Sequence, residues 1–350
     1  MDTSIDELRL ERLSLRYPRD RARLADFLAR HHLKLEEDVQ SAFVLLDGFE
    51  SLAACGCAAG SVLKCFAVEP SLRGQNALGR LVSALVQDRF ARGIYDLFII
   101  TRAENEALFQ NCGFYPVVRT QALAMLENRP NGPRLFAQGL KRPEDAGKQA
   151  AAIVMNANPF TLGHQALVEF AARRCELLHI FLVEEDRSLF PTPVRYQLAA
   201  EGTAHLPNVR LHLSGPYVIS AATFPTYFVK AQENAALLQA QLDVTLFAEK
   251  LAPELHIVQR FAGQEPLDPT TDGYNYTMRT LLPRYGIHFC EFPRVMQDGQ
   301  PISASRVRNL LETRGVCDEV LALVPESTGR YLKDNWPLKP QRSGAQHPFR

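Results

Sequence analysis

Ala150-Ala151-Ala152-Ile153-Val154-Met155, followed two residues later by Asn158-Pro159-Phe160-Thr161-Leu162-Gly163-His164, is the stretch on which the reading of this chain turns. An unbroken apolar run of this length fits a strand buried on both faces. Asn158-Pro159 supplies turn chemistry, and residues 166–174 have the spacing of a helix. Strand, tight turn and helix start together leave free backbone N–H groups at a positive helix end, with an imidazole beside them. Far downstream, Ile302-Ser303-Ala304-Ser305-Arg306-Val307-Arg308 repeats the plan: a short apolar lead, then a helix start. Two helix N-termini, one His, two hydroxyls and two Arg describe a site for a nucleoside triphosphate. A core position is the alternative for His164, because Leu167 and Val168 lie three and four residues on. Ser303 and Ser305 also read as helix caps, which is how they would present N–H groups to phosphate. Arg308 reads alternatively as a solvated helix charge. Gly163 is expected to let the backbone approach a nucleotide closely.

Composition bounds the rest. At 350 residues the chain is long for one domain and comfortable for two. Lys and Arg total 39, as do Asp and Glu, whereas a protein that neutralises phosphates along nucleic acid shows a basic excess. No nucleic-acid partner is therefore expected. The opening residues Met1-Asp2-Thr3-Ser4-Ile5-Asp6-Glu7 are acidic and polar, unlike a signal peptide, and no apolar run approaches a membrane span. A cytoplasmic location without a membrane partner is the expectation. The cysteines are odd in number and form no CxxC pair, and the histidines form no HExxH, so no protein-held metal is expected.

Two clusters of turn residues mark a seam. Asn128-Arg129-Pro130-Asn131-Gly132-Pro133 and Lys141-Arg142-Pro143-Glu144-Asp145-Ala146-Gly147-Lys148 flank a short apolar piece, Leu135-Phe136-Ala137. The expected organisation is a front domain over 1–128, a linker over 129–148, a second domain over 149–335 and a tail over 336–350. In front, strands are predicted at 41–46, 51–59, 62–68 and 96–101, with helices at 77–92 and 104–111. Behind the seam, strands are predicted at 179–183, 210–214, 244–247 and 256–260, and helices at 194–201, 227–241, 274–282 and 304–313. That alternation argues for a doubly wound, mostly parallel sheet, in which ligands bind outside the C-terminal strand ends.

From Phe66-Ala67-Val68-Glu69-Pro70 to Gly113-Phe114-Tyr115, the front half resembles the acetyl-coenzyme A-dependent N-acetyltransferase fold. That family's pyrophosphate loop has small residues where Arg73-Gly74-Gln75-Asn76-Ala77-Leu78 carries Asn76 and Leu78, and a Cβ there crowds the approach. Arg73, Gly74 and Asn76 thus read as a degenerate acetyl-coenzyme A loop, and the front domain is expected not to transfer acetyl from that donor. Thr161-Leu162-Gly163-His164 and Ile302 to Arg308, in that order and context, resemble the nucleotidyltransferase superfamily. Asp186-Arg187-Ser188-Leu189-Phe190 is similar to the loop where its phosphopantetheine adenylyltransferases place a phosphate-contacting Lys, which makes Arg187 the candidate here.

Longer strings, among them Phe224-Pro225-Thr226-Tyr227-Phe228, Ala262-Gly263-Gln264-Glu265-Pro266 and Tyr274-Asn275-Tyr276-Thr277-Met278, resemble the citrate lyase ligase family over about 65–323. The family usually has Gly-Glu-Glu-Pro where this chain has Gly263-Gln264-Glu265-Pro266. The resemblance implies an ATP-dependent acid–thiol ligase. Acetate becomes acetyl adenylate, and the acetyl group passes to the prosthetic-group thiol of the citrate lyase acyl carrier subunit. His164 and Arg187 would be catalytic. ATP would be bound by Asn158, Pro159, Phe160, Thr161, Gly163, Gly263, Glu265, Ser303, Ser305 and Arg308, with Mg2+ bridging the phosphates. An adenylyltransferase of cofactor biosynthesis is the alternative, since it shares both nucleotide motifs.

Overall fold

The computed structural model describes residues 8–184, 188–218, 224–230, 234–264 and 269–337; the expected site residues Arg187 and Glu265 lie outside them. The front sheet has seven strands: β1 (Arg9–Leu13), β2 (Ser41–Leu46), β3 (Leu52–Ala59), β4 (Val62–Val68), β5 (Phe98–Arg102), β6 (Tyr115–Arg119) and β7 (Leu123–Glu127). Their order is β1-β2-β3-β4-β5-β7-β6. Every neighbouring pair is antiparallel except β4 and β5, which run parallel and pair only through Val62–Phe98 and Leu63–Ile99. Beyond those two pairs, toward Val68 and Arg102, β4 and β5 are not paired with each other. Helices α1 (Pro18–Arg30), α2 (Ala77–Phe90), α3 (Glu106–Gln110) and α4 (Gly132–Gly139) complete the segment. α2 buries Ala77, Leu81, Val82, Ala84 and Leu85, against β2, β3 and β4. This is the acetyltransferase fold that the sequence resembles. β1, α1, β6, β7 and α4 were not among the predicted elements, and β1 escaped the pattern because it is an edge strand rich in charge, Arg-Leu-Glu-Arg-Leu.

Behind the seam the chain runs β8 (Ala150–Met155), α5 (Leu162–Ala172), β9 (Leu177–Leu182), α6 (Thr192–Thr203), β10 (Val209–Leu213), α7 (Ala235–Leu246), β11 (Ile257–Gly263), α8 (Pro269–Leu281), β12 (His288–Phe292), α9 (Ala304–Arg314), α10 (Asp318–Leu321) and α11 (Glu326–Asn335). Five strands form a wholly parallel sheet in the order β10-β9-β8-β11-β12. The strand order reverses between β8 and β11, the place where doubly wound sheets bind ligands. Ile153, Met155, Phe160, Leu167, Val168, Ile180, Leu182 and Phe261 pack into the core beneath that point.

By compactness the chain divides into two units: 1–139 with 219–254 and 276–285, and 140–218 with 255–275 and 286–350. The expected uninterrupted span 149–335 thus gives up two excursions to the front unit. α7 belongs to the first of them and packs on β6 and β7. The predicted strand at 244–247 is the end of α7, which runs on into a π-helical turn, Phe247–Leu251. Val244, Thr245, Leu246 and Phe247 are all buried, so the polar face that marks a helix in sequence is missing there. The predicted helix over 227–241 starts only at Ala235, where the Asn234 side chain accepts the Leu237 N–H at 3.2 Å. No helix among the described residues is long and apolar enough to cross a membrane.

Candidate functional site

α5 begins at Leu162, four residues earlier than its apolar spacing suggested, so Thr161-Leu162-Gly163-His164 is a cap plus a first turn. Thr161 and His164 cap each other reciprocally. The Thr161 backbone N–H donates to His164 Nδ1 at 3.1 Å, and the His164 N–H reaches back to Thr161 Oγ1 at 3.4 Å. A backbone N–H can only donate, so Nδ1 must carry a lone pair, and a neutral ring then carries its proton on Nε2. Burial, with the nearby Arg294 guanidinium, pushes the His164 pKa down from the ordinary 6.5 to about 4. Near neutral pH the ring is therefore an uncharged Nε2–H donor, held in orientation by its own helix cap.

Buried contacts hold the turn ahead of that helix. Phe160 is fully buried, stacks under His164 with ring centroids 5.7 Å apart, and lies so close to Gly202 that a Cβ there would sit 2.5 Å from its ring. Its side chain therefore supports the site from the core, and only its backbone lies in the turn. The Phe160 carbonyl accepts the Thr328 hydroxyl at 3.0 Å, and the Leu162 N–H donates to the Leu323 carbonyl at 3.0 Å. Gly163 serves the protein's own packing: a Cβ would meet the Ile302 carbonyl oxygen at 3.0 Å.

Ile302 leads the second motif, so the two motifs touch directly. Arg308 clamps them, its Nη1 donating to the Asn158 carbonyl at 2.6 Å and its Nη2 to Ser305 Oγ at 3.1 Å. Asn158 Oδ1 accepts the Phe190 N–H at 3.0 Å. Ser303 is the N-cap of α9, accepting the Arg306 N–H at 3.1 Å, while Ser305 is exposed. Arg306 is turned to other duty, donating to the Gln297 carbonyl and pairing with Glu319, both at 3.3 Å. The second cation beside His164 is instead Arg294, which sequence reasoning missed. It follows β12 in the run Phe292-Pro293-Arg294, where no helix or glycine pattern draws attention.

Across the reversal point, Gly263 ends β11, and its carbonyl accepts Asn275 Nδ2 at 3.0 Å. Nothing stands within 4 Å of a Cβ added to Gly263, so the protein itself does not require glycine there. In the front unit, Arg73, Gly74 and Asn76 form the exposed turn before α2, far in sequence from any of these groups. Among the described residues, no three His, Cys, Asp or Glu side chains stand together to hold a metal ion.

Two capped helix starts locked together at the reversal point of a doubly wound sheet define a nucleotidyltransferase-type domain. Residues 150–332 match the family described as the citrate lyase ligase C-terminal domain. A citrate (pro-3S)-lyase ligase from Klebsiella pneumoniae is 41% identical over 329 residues, 92% of this chain and 96% of the relative. Its counterpart from Escherichia coli K12 is 38% identical, covering 89% of this chain and 90% of the relative. The one from Haemophilus influenzae is 35% identical, covering 88% and 93%. The chain belongs to the citrate lyase ligase family.

Proposed function

We propose that this chain is an ATP-dependent acid–thiol ligase acting on citrate lyase. An acetate oxygen attacks the α-phosphorus of ATP in line, giving acetyl adenylate and pyrophosphate. The thiol of the prosthetic group on the citrate lyase acyl carrier subunit then attacks the acetyl carbon. AMP leaves, and the thiol proton passes to solvent. The observation that carries the reading is the tautomer of His164. A neutral imidazole with its proton fixed on Nε2 is a preorganised donor for an α-phosphate oxygen, and it needs no change of protonation as charge builds there. The N-termini of α5 and α9 supply further N–H donors, and Ser303 and Ser305 belong to the β- and γ-phosphate end. Arg308, already donating to the turn, joins the motifs there, and Arg294 adds positive charge beside His164. Arg187 and Glu265, outside the described residues, keep the catalytic and ATP-binding roles that the family resemblance implies for them. Mg2+ carried in with the triphosphate would offset the negative charge that builds on its oxygens during adenylation. The seven cysteines, free thiols throughout, fit a cytoplasmic location.

The front unit, in the same reading, makes no acetyl transfer from acetyl-coenzyme A. Two features support this. Asn76, with φ 64, folds its side chain back over α2, so that a Cβ on Gly79 would lie 2.1 Å from Asn76 Oδ1. A carbonyl oxygen thereby faces the helix end that would have to receive a pyrophosphate. Residues 224–230 also bond to the end of β5 and to the chain ahead of β2. The Phe228 carbonyl accepts Arg102 Nη2 at 2.8 Å, the Tyr227 carbonyl accepts the Lys34 N–H at 3.2 Å, and Thr226 donates twice to Glu36. Phe224, Tyr227 and Phe228 are buried, and burial beside Cys65 and Glu36 raises the Tyr227 pKa well above its usual range.

Replacing His164 by Ala tests the site. Pyrophosphate release from ATP with acetate is expected to drop about a hundredfold or more in a variant with unchanged circular dichroism, the scale for losing one preorganised donor. Undiminished turnover would remove His164 from the mechanism. Pyrophosphate release with phosphopantetheine but not with acetate would make the chain an adenylyltransferase instead.

A further inference from the structure

Arg195 stands in the first turn of α6, and its side chain is fully buried. Nε donates to the Phe190 carbonyl at 3.0 Å. Nη1 donates to the Asn156 carbonyl at 2.7 Å, and to Asn156 Oδ1 and the Val183 carbonyl at 2.8 Å each. Nη2 donates to Thr192 Oγ1 at 2.8 Å. Asn156 and Val183 are the first residues past the ends of β8 and β9, and Phe190 lies on the chain entering α6. One guanidinium therefore ties together three pieces of main chain at and beyond the strand ends.

Those pieces lead straight to the reacting end of the site. Asn156 comes two residues before Asn158, where the turn carrying His164 begins. The Phe190 N–H, on a residue whose carbonyl Arg195 holds, donates to Asn158 Oδ1, and the Asn158 carbonyl in turn accepts Arg308. Ser188 Oγ donates to Asn156 Oδ1 at 3.3 Å, so the chain just ahead of Phe190 is fastened to the same point. Arginine suits this task because its five N–H groups form a rigid, permanently charged fork that can serve several carbonyls at once. The single ammonium of lysine cannot span the same set.

We propose that Arg195 is a positioning residue for adenylation: it fixes the ends of β8 and β9 and the entry to α6 in one arrangement, so that the Asn158 to His164 turn meets the triphosphate. The proposal rests on the reading of that turn as an ATP site. It assigns Arg195 no contact with substrate.

The test uses the full chain with Arg195→Lys and Arg195→Met, assayed at a temperature where circular dichroism finds both folded. Pyrophosphate release is measured while ATP and acetate are varied in turn. For Arg195→Met, kcat/KM for ATP is expected to fall on the order of a hundredfold, the scale of an ångström-level misplacement, through both a higher KM and a lower kcat. Arg195→Lys should recover part of that loss. A lower melting temperature with kcat and KM unchanged would overturn the proposal and leave Arg195 a stabilising residue only. If Arg195→Met does not fold, Asn156→Leu keeps the arginine and removes one acceptor, and it decides the same way. ATP affinity by calorimetry separates this proposal from the reaction it rests on. Affinity on the order of tenfold weaker in Arg195→Lys supports positioning even if acetate proves the wrong acid, and equal affinity with equal turnover defeats it.

Discussion

Two of the chain's strand-to-helix turns, the one after β8 and the one after β4, come out opposite. Behind β8, Thr161 caps α5 from an extended backbone, His164 Nδ1 takes the Thr161 N–H, and the ring's other nitrogen is left as a donor. Behind β4, Asn76 enters α2 from a left-handed backbone, makes no side-chain cap bond, and lays its amide oxygen over Gly79. Both helices present a positive N-terminus. The difference lies in whether the chain's own polar atoms are spent on holding the turn or on covering the helix end. A helix start is thus an anion site only when its cap leaves the approach open.

The largest effect expected from this contrast concerns the two compact units. An uninterrupted second domain over 149–335, the organisation expected from the turn clusters, would let a chain beginning near Gly147 keep the rear chemistry. Residues 219–254 and 276–285 belong to the front unit, however, and α7 would lose β6 and β7. Such a truncated chain should show no cooperative thermal melting and no turnover. A cooperative transition with acetyl adenylate formation would mean that the units are separable after all.

Next in size comes Gly163→Ala. Its Cβ would sit 3.0 Å from the Ile302 carbonyl and push α5 away from the second motif. Pyrophosphate release should fall on the order of tenfold to a hundredfold, an expectation that steady-state kinetics checks directly. Paired Ser303→Ala and Ser305→Ala should weaken ATP binding several-fold while costing about 1 kcal/mol of stability, the usual value of one N-cap. ATP affinity equal to that of the parent would leave Ser303 an ordinary cap and Ser305 an exposed partner of Arg308. Smallest of all is Arg73→Ala in the front turn, which should leave acetate-dependent turnover within error.

Acid sharpens the comparison from another side. His164 falls to about 4, and the hydrogen-bonded pair His179 and His212, 2.8 Å apart on β9 and β10, to about 4 and about 3, each chiefly by burial. Unfolded, all three would take up protons near 6.5, so between 6.5 and these lowered values the unfolded chain binds more protons than the native one. Their contribution to stability is fully present above about 6.5 and is lost as the pH falls through 4 and then 3. Melting temperature should therefore drop as the pH is lowered across that window. Over pH 5.5 to 8, His164 should add no inflection to the rate profile; an inflection near 6.5 that disappears in the His164→Ala variant would contradict the neutral donor.

Much of this was legible in residues. Strands β8 to β11 and both motifs follow from apolar runs ending in turn and cap residues, because short-range chemistry dictates them, whereas the half-exposed β12 was not among the predicted strands. What escaped depends on distant partners. The end of α7 hid because burial on every side removed its polar stripe, and β1 hid because an edge strand can be charged. Arg294 carries no local signature, and although Phe190 and Arg195 have the spacing of an F-x-x-x-x-R run, neighbouring residues do not disclose the role of Arg195. One earns its place by lying near His164, the other by reaching carbonyls from three segments. Arg306 shows the converse, since its place in the motif promised a phosphate ligand and Glu319 claims it.

The most direct test of the whole account follows labelled acetyl onto the citrate lyase acyl carrier subunit with the full-length chain. In one arm acetyl is supplied as acetate with ATP and Mg2+, in the other as acetyl-coenzyme A without ATP. Transfer is expected only in the first arm, and it should be lost with His164→Ala and kept with Arg73→Ala. Transfer from acetyl-coenzyme A that persists in His164→Ala would contradict the account, placing the chemistry at the turn before α2.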